Sequence, residues 1–312
     1  MIIQSSFGMF EELFNQSGLS LDRLHSLCEV AEKGSIGEAT KGDSNRQTLV
    51  SRQITELERF FGTELLNRET RPHRLNDEGW KLVKLSKTFF RGLSDFQAGC
   101  SNQPVIFRIG SGDSSIQWLL MPNLEFWKTN LPGASIQLKN LRTLKVVEEL
   151  ISGDIDLALL RKSAVTKPLK SMGRFRFEYR LFVPKKMKRK LDQKIKVGDF
   201  SDLPLAVVNS EGEFWNQLVS LAEAEGIELN VQLELSSLTQ VAGAIQNGSY
   251  CGFLPAFATS MVSEKVATSH EVAGFESLSR ELVFAWNPKK AAVRPIIEDA
   301  IKLIEKEWGR SS

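Results

Sequence analysis

The sequence has few of the residues that build metal centres, disulfide frameworks or membrane spans. It contains three cysteines and three histidines in 312 residues, and the cysteines (Cys28, Cys100 and Cys251) are too far apart in sequence to suggest a metal site. No apolar run approaches the ~20 residues that cross a bilayer. The first twenty residues lack the basic start and the uninterrupted apolar core of a signal peptide. We therefore expect a cytoplasmic protein without a metal or cofactor, in which Cys28 and Cys251 are buried and Cys100 is exposed.

The signatures of common enzyme classes are also missing. We find no nucleophile elbow, no glycine-rich phosphate loop and no cluster of histidine with acidic residues. His25 and His73 lie in the N-terminal quarter of the chain, and His270 stands alone in the remainder. We therefore expect that the protein is not an enzyme.

Net charge gives little information about partners. The chain has 40 basic and 38 acidic residues and a formal net charge of +2, so only local clusters of charge are informative. With 42% hydrophobic and 25% charged residues, the composition is that of an ordinary soluble globular protein. Its length permits one large domain or two to three smaller ones.

The most informative stretch is a predicted helix over residues 46–61. At the helical period, one narrow apolar stripe holds Val50, Ile54, Leu57 and Phe61. The opposite face carries hydroxyl and guanidinium groups, with an amide at its edge: Thr48, Ser51, Arg52, Thr55, Arg59 and Gln47. Such side chains can bond to phosphates and to base edges.

The flanking residues suggest a winged helix-turn-helix. Ser20 is a plausible N-cap for a first helix, and a short second helix would hold Ile36 and Ala39. After Gly62, residues 65–68 and 70–75 predict two short extended segments around a turn that carries Arg68, Arg71 and Arg74. The alternative is an ordinary helical subdomain with a solvated polar face.

The N-terminal sequence resembles the LysR-type transcriptional regulators. The matching residues, in order, are Val30 to Ile36 (VAEKGSI), Ala39, Gln47-Thr48, Val50 to Ile54 (VSRQI), Leu57-Glu58, Gly62, Leu65 to Arg68 (LLNR) and Leu75 to Gly79 (LNDEG). Two positions depart from the family pattern: Asp43 replaces a buried leucine, and Arg46 replaces the usual serine N-cap. Asn45 or Ser44 could cap the helix instead, since Ser44 and Gln47 have capping-box spacing.

The resemblance implies roles for individual residues. Phosphate contacts would come from Ser35, Arg52, Arg68, Arg71 and Arg74, and base contacts from Gln47, Thr48 and Ser51, with Arg46 in the same DNA-binding set. A long helix after residue 77 carries a seam of Leu82, Leu85, Phe89, Leu93 and Phe96. In the family this helix pairs with its twin, which implies a dimer here, and further association would give a tetramer.

Beyond Pro104 the pattern alternates between strands and helices. This predicts an α/β region built on a parallel sheet with helices on both faces, with residues 175–183 as a crossing strand. Phrases such as Gly153 to Ala158 (GDIDLA) and Gly248 to Pro255 resemble the regulatory domain of the same family. That domain has two Rossmann-like α/β subdomains around a cleft, as in periplasmic binding proteins.

The predicted organisation has four parts. They are an N-terminal extension (1–19), an all-α winged helix-turn-helix domain (20–76), a linker helix for dimerisation (77–100) and an effector-binding regulatory domain (104–312). Within the regulatory domain we expect one half to comprise residues 104–174 and 275–312, and the other residues 175–274.

Candidate effector ligands follow from the position of polar residues at strand ends and helix starts, where anions are favoured. They are Ser114, Ser115, Thr143, Arg161, Asn209 and Ser236. Hydroxyls with one arginine would suit a small carboxylate. The alternatives are that the serines and Thr143 only cap helices and that Arg161 forms a surface salt bridge.

The sequence thus favours a sequence-specific DNA-binding transcriptional regulator that responds to a small anionic effector. Its expected partners are double-stranded promoter DNA, the effector and copies of itself. We expect no association with a membrane, and binding to DNA would place the protein at the nucleoid. The alternative is a small-molecule-binding protein or cleft enzyme with a degenerate DNA-binding domain.

Overall fold

A computed structural model describes residues 11–69, 71–188, 190–208, 213–275 and 279–308. The chain divides into two compact units, Met1–Gln97 and Ala98–Ser312, called here the N-terminal unit and the C-terminal unit. Among the described helices, none is both long enough and apolar enough to cross a membrane.

The N-terminal unit contains the predicted three helices and hairpin. Its elements are α1 (Glu11–Phe14), α2 (Leu21–Lys33), α3 (Ile36–Thr40), α4 (Ser44–Phe61), the antiparallel strands β1 (Leu66–Asn67) and β2 (Arg74–Leu75), and the start of α5 (Asp77–Cys100). A single core joins α2, α3, α4, the hairpin and the start of α5, and it is built on Leu27, Val30, Ile54, Leu57 and Leu65. The winged helix-turn-helix prediction is confirmed.

Helix α4 begins earlier than predicted and has a different N-cap. The Asp43 carboxylate accepts hydrogen bonds from the backbone N–H groups of Asn45 and Arg46, at 3.0 and 3.1 Å. The expectation that Asn45 or Ser44 caps this helix is therefore wrong. A carboxylate at this position both accepts from free N–H groups and interacts favourably with the helix dipole, so the residue that departs from the family pattern performs the capping.

The predicted apolar stripe of α4 is wrong at its last position. Phe61 is 39% exposed, whereas Glu58, only 8% exposed, faces the core. The Glu58 carboxylate accepts hydrogen bonds from the Leu65 N–H at 2.9 Å and from the Arg68 guanidinium at 2.6 Å. A buried acid with these partners fixes the start of the hairpin against α4.

Helix α5 divides its apolar side chains between two faces. Leu82 and Val83 are buried in the N-terminal core, so Leu82 does not belong to the predicted seam. Phe90 is half-buried against the same core. Five other large apolar side chains are exposed: Trp80, Leu85, Phe89, Leu93 and Phe96.

The spacing of Phe7, Phe10 and Phe14 suggests that the N-terminal extension packs as a small extra helix. Phe14, the last residue of α1, is 81% exposed and does not pack in this way. Phe7 and Phe10 lie outside the described residues.

The C-terminal unit begins with β-α-β-α-β alternation. Its first elements are β3 (Val105–Ser111), α6 (Asp113–Ser115), a π-helical turn (Ile116–Leu120), a 3-10 turn (Met121–Asn123), α7 (Leu124–Asn130), β4 (Ala134–Asn140), α8 (Thr143–Ser152), β5 (Leu157–Arg161) and β6 (Lys170–Phe177). Glu178 separates β6 from the next strand, so the predicted single strand over residues 175–183 is two strands in two different sheets.

The chain then builds a second half and returns to the first. The second half contains β7 (Tyr179–Pro184), β8 (Lys194–Ile195), β9 (Leu205–Val208), α9 (Glu213–Ala224), β10 (Val231–Leu235), α10 (Leu238–Asn247), β11 (Cys251–Pro255) and β12 (Ala267–Val272). The returning elements are β13 (Arg280–Trp286), α11 (Pro288–Ala291) and α12 (Pro295–Trp308).

Both sheets are mixed rather than parallel. The first has the order β4-β3-β5-β13-β6 and the second β10-β9-β11-β7-β12-β8. Strand β13 is antiparallel to both β5 and β6, and β7 is antiparallel to β11 and β12. The parallel expectation is wrong at these strands because they cross between the halves and so enter each sheet from the opposite end. The first half extends through Phe177, beyond the predicted boundary at residue 174.

A buried ion pair connects the sheet of the first half to the start of α12. Asp156 and Arg294 pair with side-chain exposures of 2% and 3%. Asp156 also accepts from the Arg108 N–H at 2.8 Å, and Arg294 donates to the Ile106 carbonyl at 2.9 Å. Because these partners come from β3 and from the residue before α12, the pair ties the returning helix to the sheet.

Candidate functional site

The first candidate site is a groove on the N-terminal unit. It lies between the start of α3, the exposed face of α4 and the tip of the hairpin. Its lining residues are Ser35, Ile36, Gly37, Ser44, Gln47, Thr48, Ser51, Arg52, Thr55, Glu56, Arg59, Arg71, Pro72 and His73. We call this surface the α4 groove. Six residues singled out from the sequence line it: Ser35, Gln47, Thr48, Ser51, Arg52 and Arg71.

The hydroxyl groups of the α4 groove differ in what they offer a ligand. Ser35 is buried and accepts from the Glu38 N–H at 3.2 Å, so it caps α3. Thr48 and Thr55 donate to backbone carbonyls one turn earlier, at 2.9 and 3.0 Å, which leaves their oxygens as acceptors. Gln47 and Ser51 are exposed on the same face.

Several arginines of the N-terminal unit are paired with carboxylates. Arg52 donates to Glu56 at 3.0 Å, with its own side chain 77% exposed. Arg46 pairs with Glu29 at 2.9 Å and so joins α4 to α2, away from the groove lining. Arg68 pairs with Glu58, and Arg74 lies on β2. Sequence reasoning missed these acids, although the spacing of Arg52 and Glu56 was an available signal.

Glu56, an acid in the lining of the α4 groove, is paired with two arginines. Besides the Arg52 bond, it forms an ion pair with Arg23 of α2. The hydrogen bond from Arg52, with the further bond from Arg23, lowers the pKa of Glu56 below its ordinary value. Glu56 therefore stays ionised at neutral pH and holds Arg52 along the helix.

The second candidate site is a cavity of about 290 Å³ between the two halves of the C-terminal unit. We call it the cleft cavity. The first half supplies Gly112, Ser114, Ser115, Thr143, Val146, Leu159, Leu160, Arg161, Phe177, Arg280 and Leu282. The second half supplies Tyr179, Ala206, Val207, Val208, Phe214, Trp215, Leu238 and Phe253.

The first half supplies both arginines and the serine and threonine hydroxyls that line the cleft cavity. Ser114 and Ser115 follow β3, and Thr143 begins α8 after β4. Arg161, the last residue of β5, lies opposite Leu282 in the β5–β13 ladder. Arg280 lies two residues before Leu282 on β13, so both arginines project from the same face of the sheet.

The apolar lining is largely aromatic. Tyr179 lies between Phe177 and Phe214, with ring centroids 5.6 and 4.1 Å away. Phe214 in turn contacts Phe253 at 5.8 Å. These four rings form one continuous wall, which we call the aromatic wall, and Trp215 adds a fifth ring to the lining.

Two hydrogen bonds cross between the halves beside this cavity. Thr239 on α10 donates to the Asp113 carboxylate. Arg280 donates to the Gln217 side chain of α9 at 3.2 Å. Since Arg280 also lines the cavity, a ligand that engages it will affect a contact between the halves.

The sequence-predicted effector residues have mixed positions. Ser114, Ser115, Thr143 and Arg161 line the cleft cavity. Ser236 is not among the described lining residues; its N–H donates to the Gln240 side chain at 2.9 Å. Asn209 lies outside the described residues. Sequence reasoning missed Arg280 and the aromatic wall, since their convergence depends on the antiparallel return of β13 and on the break at Glu178.

The cysteines agree with their expected environments. Cys28 and Cys251 are buried and Cys100 is exposed. Burial raises the pKa of the Cys28 thiol to about 11, so this thiol stays protonated at neutral pH and unreactive. Within the described ranges, no group of three or more His, Cys, Asp or Glu side chains is arranged to hold a metal ion.

Known proteins resemble the chain along nearly its whole length. It is 25% identical over 301 residues to a probable RuBisCO transcriptional regulator of Emiliania huxleyi, covering 92% of this chain and 93% of that one. It is 23% identical over 249 residues to the HTH-type transcriptional regulator AlsR of Bacillus subtilis (strain 168), covering 78% and 82%.

Solved structures share the fold. CbnR, a LysR family transcriptional regulator, superposes with a TM-score of 0.57 at 17% identity, covering 92% of this chain and 99% of CbnR. Full-length CbnR in complex with its target DNA superposes with a TM-score of 0.55 at 18% identity, covering 91% and 99%.

Family models match both units. The model of the bacterial regulatory helix-turn-helix proteins of the lysR family matches residues 21–80. The model of the LysR substrate binding domain matches residues 106–308, which is more than half of the chain. The chain therefore belongs to the LysR family of DNA-binding transcriptional regulators.

Proposed function

We propose that the α4 groove binds promoter DNA, with α4 in the major groove and the hairpin beside the adjacent backbone. The observation that carries this proposal is the exposed α4 face, on which Gln47, Thr48 and Ser51 present an amide and two hydroxyls close to Arg52. The first three groups suit base edges, and Arg52 suits a phosphate.

The remaining candidates take supporting roles in this proposal. Arg71 at the hairpin tip lines the groove and contacts a phosphate, and Arg74 adds positive charge on β2. Arg68 holds the hairpin through Glu58, while Arg46 holds α4 through Glu29. Ser35 caps α3, whose N-terminal end faces the same groove. A relative of the same fold has been solved with its target DNA, which supports the assignment.

We further propose that the cleft cavity binds a small anionic effector. The first half lines it with two arginines and three hydroxyls, from Arg161, Arg280, Ser114, Ser115 and Thr143. None of its described lining residues is Asp, Glu, His or Cys. That lining suits recognition of an anion and offers no general base or thiol nucleophile among these residues, so the cavity binds its ligand without converting it.

Self-association completes the proposal. The exposed seam of α5, from Trp80 to Phe96, buries its large apolar side chains against a second copy. Pairs of such dimers form the tetramer, which acts on chromosomal DNA in the cytoplasm. Effector binding changes how the two halves of the C-terminal unit close, and this alters the packing of regulatory domains and the bend of the bound promoter.

The test is DNA binding by the full chain. Fluorescence anisotropy would be measured with the intergenic region beside the gene and with sequences selected from a random pool, at two salt concentrations. We expect sequence-specific binding that weakens with salt and is lost or strongly reduced in Arg52→Ala. Lys302→Ala, which removes an exposed cation from α12, is the matched control. Absence of a selected sequence, or equal affinity of Arg52→Ala, would overturn the proposal.

A further inference from the structure

We propose that the ligand of the cleft cavity is a carboxylate on a single six-membered aromatic ring, either directly attached or joined by a short arm. This inference rests on the proposed effector role of the cavity and specifies its chemistry. The polar and aromatic groups of the lining are unevenly distributed between the two halves of the C-terminal unit. Both arginines, Ser114, Ser115 and Thr143 come from the first half, whereas every lining aromatic residue except Phe177 comes from the second.

The volume of the cavity sets the size of the ligand. An apolar cavity of roughly 150 Å³ holds a benzene molecule. The cleft cavity is about 290 Å³, so it accommodates one ring together with an acid group and a short connecting chain. A bicyclic ligand with further substituents would exceed this space unless the halves opened.

The aromatic wall specifies a flat apolar body. Phe177, Tyr179, Phe214 and Phe253 form a connected series of ring contacts along one side of the cavity. Leu159, Leu282 and Val146 face the same space from the first half. A ring between these surfaces gains burial on both faces and edge-to-face contacts with its neighbours. A short acid without a ring would leave the aromatic wall in contact with water.

The arginines specify the acid group. Arg161 lies opposite Leu282, and Arg280 is displaced by two residues along β13. Diagonal neighbours of this kind start about 7–8 Å apart, a span that two long side chains close around one carboxylate. Guanidinium groups bind carboxylates through paired, charge-assisted hydrogen bonds.

The charge of the described lining also disfavours a zwitterion. Of the described residues that line the cavity, two carry positive charge and none carries negative charge. An ammonium group there would lie near two cations, which is unfavourable. Aromatic amino acids therefore bind much more weakly than the corresponding acids that lack the amino group.

The experiment measures binding to the full chain by calorimetry and thermal shift. The ring acids are benzoate, phenylacetate and 3-phenylpropionate. Three comparison compounds each change one feature of the ligand. Benzyl alcohol lacks the charge, succinate lacks the ring, and phenylalanine adds an ammonium group. We expect at least one ring acid to bind at least about tenfold more tightly than each comparison compound.

Variants locate the binding within the cavity. Arg161→Gln and Arg280→Gln are each expected to weaken binding of the ring acid at least about tenfold. Phe214→Leu is expected to weaken binding of the ring acid while keeping its preference over the uncharged benzyl alcohol. Arg176→Gln, on an exposed position of β6, is the matched control and should bind normally. Melting of each variant without ligand reports whether it folds.

Two failures are distinguishable. If succinate binds with dependence on Arg161 and the ring acids do not, the cavity is an anion site and the ring assignment is overturned. If ring acids bind equally to the wild type and to both arginine variants, or if no compound binds, the inference is overturned. The DNA-binding role is then judged by its own titration, which requires no ligand.

Discussion

Arginine has different surroundings in the two units of this chain. In the N-terminal unit, Arg46, Arg52 and Arg68 each pair with a glutamate while remaining substantially exposed. In the C-terminal unit, Arg294 pairs with Asp156 under nearly complete burial, and Arg161 and Arg280 line a cavity whose described residues include no acid.

The difference shows how burial decides the role of a charged side chain. Exposed pairs contribute little stability, so Arg52, which is 77% exposed, can exchange the Glu56 carboxylate for a phosphate at small cost. A buried pair is strongly destabilised when one partner is removed, which suits a structural tie. Arg161 and Arg280, which line the cleft cavity, are suited to an anionic ligand.

The largest expected effect tests the structural tie. Asp156→Asn leaves Arg294 buried without its counter-charge and should cost about 3–5 kcal/mol of unfolding free energy. Chemical denaturation of the full chain measures this cost. The control is Asp299→Asn, which breaks the exposed Lys302 pair and should change stability by less than about 1 kcal/mol. Similar losses in the two variants would contradict the contrast between buried and exposed pairs.

The second effect tests Glu58, which is buried in the N-terminal unit. Glu58→Gln weakens the acceptor for the Leu65 N–H and removes the charge opposite Arg68, and it should cost roughly 2–3 kcal/mol. DNA affinity should fall with it, because the hairpin loses its anchor. Glu64→Gln alters the other acid near Arg68, which is 70% exposed and 3.7 Å away. If Glu64→Gln matched Glu58→Gln, burial would not be the cause.

A third substitution tests whether the hairpin is also held by a close steric fit. A Cβ atom on Gly79 would lie 2.3 Å from the Leu65 carbonyl oxygen, so Gly79→Ala should cost about 1–3 kcal/mol. Gly99 lies in the same helix with no atom near the corresponding position. Gly99→Ala should stabilise slightly, through helix propensity. Thermal unfolding of both variants is the measurement, and a stabilised Gly79→Ala would contradict the packing described for α5.

The smallest effect tests the exchange of partners in the α4 groove. Glu56→Gln releases Arg52 and removes a negative charge from the groove, so DNA affinity should rise roughly threefold and the salt slope should steepen by about one. Glu148→Gln, in an exposed pair with Lys145, is the control. Anisotropy titrations at several salt concentrations measure both quantities, and weaker binding by Glu56→Gln would show that the pair positions Arg52 for DNA.

The same pair has a defined dependence on pH. Because the Arg52 hydrogen bond lowers the pKa of Glu56, the pair contributes to stability at neutral pH. That contribution is lost only as the pH falls through the lowered value.

Periodicity and spacing predicted much of this molecule. The helical period of apolar residues located α4, and extended apolar patterns located the hairpin and most strands. Polar residues after strands pointed to Ser114, Ser115, Thr143 and Arg161, which line the cleft cavity, and their role in effector binding stays a prediction. These positions could be predicted because they depend on residues close in sequence. The cap at Asp43, the buried Glu58 and the position of Arg280 depend on tertiary packing or on an antiparallel return, and local patterns do not encode them.

We propose that the N-terminal unit binds DNA and that the C-terminal unit binds an anion that modulates DNA binding. The most direct test is a DNA titration of wild type, Arg52→Ala and Arg161→Ala, each with and without a ring acid that binds the wild type. We predict that Arg52→Ala loses DNA binding but still binds the acid. Arg161→Ala should bind DNA normally and lose the response to the acid. If Arg161→Ala lost basal DNA binding, or responded to the acid as the wild type does, the separation of roles would be contradicted.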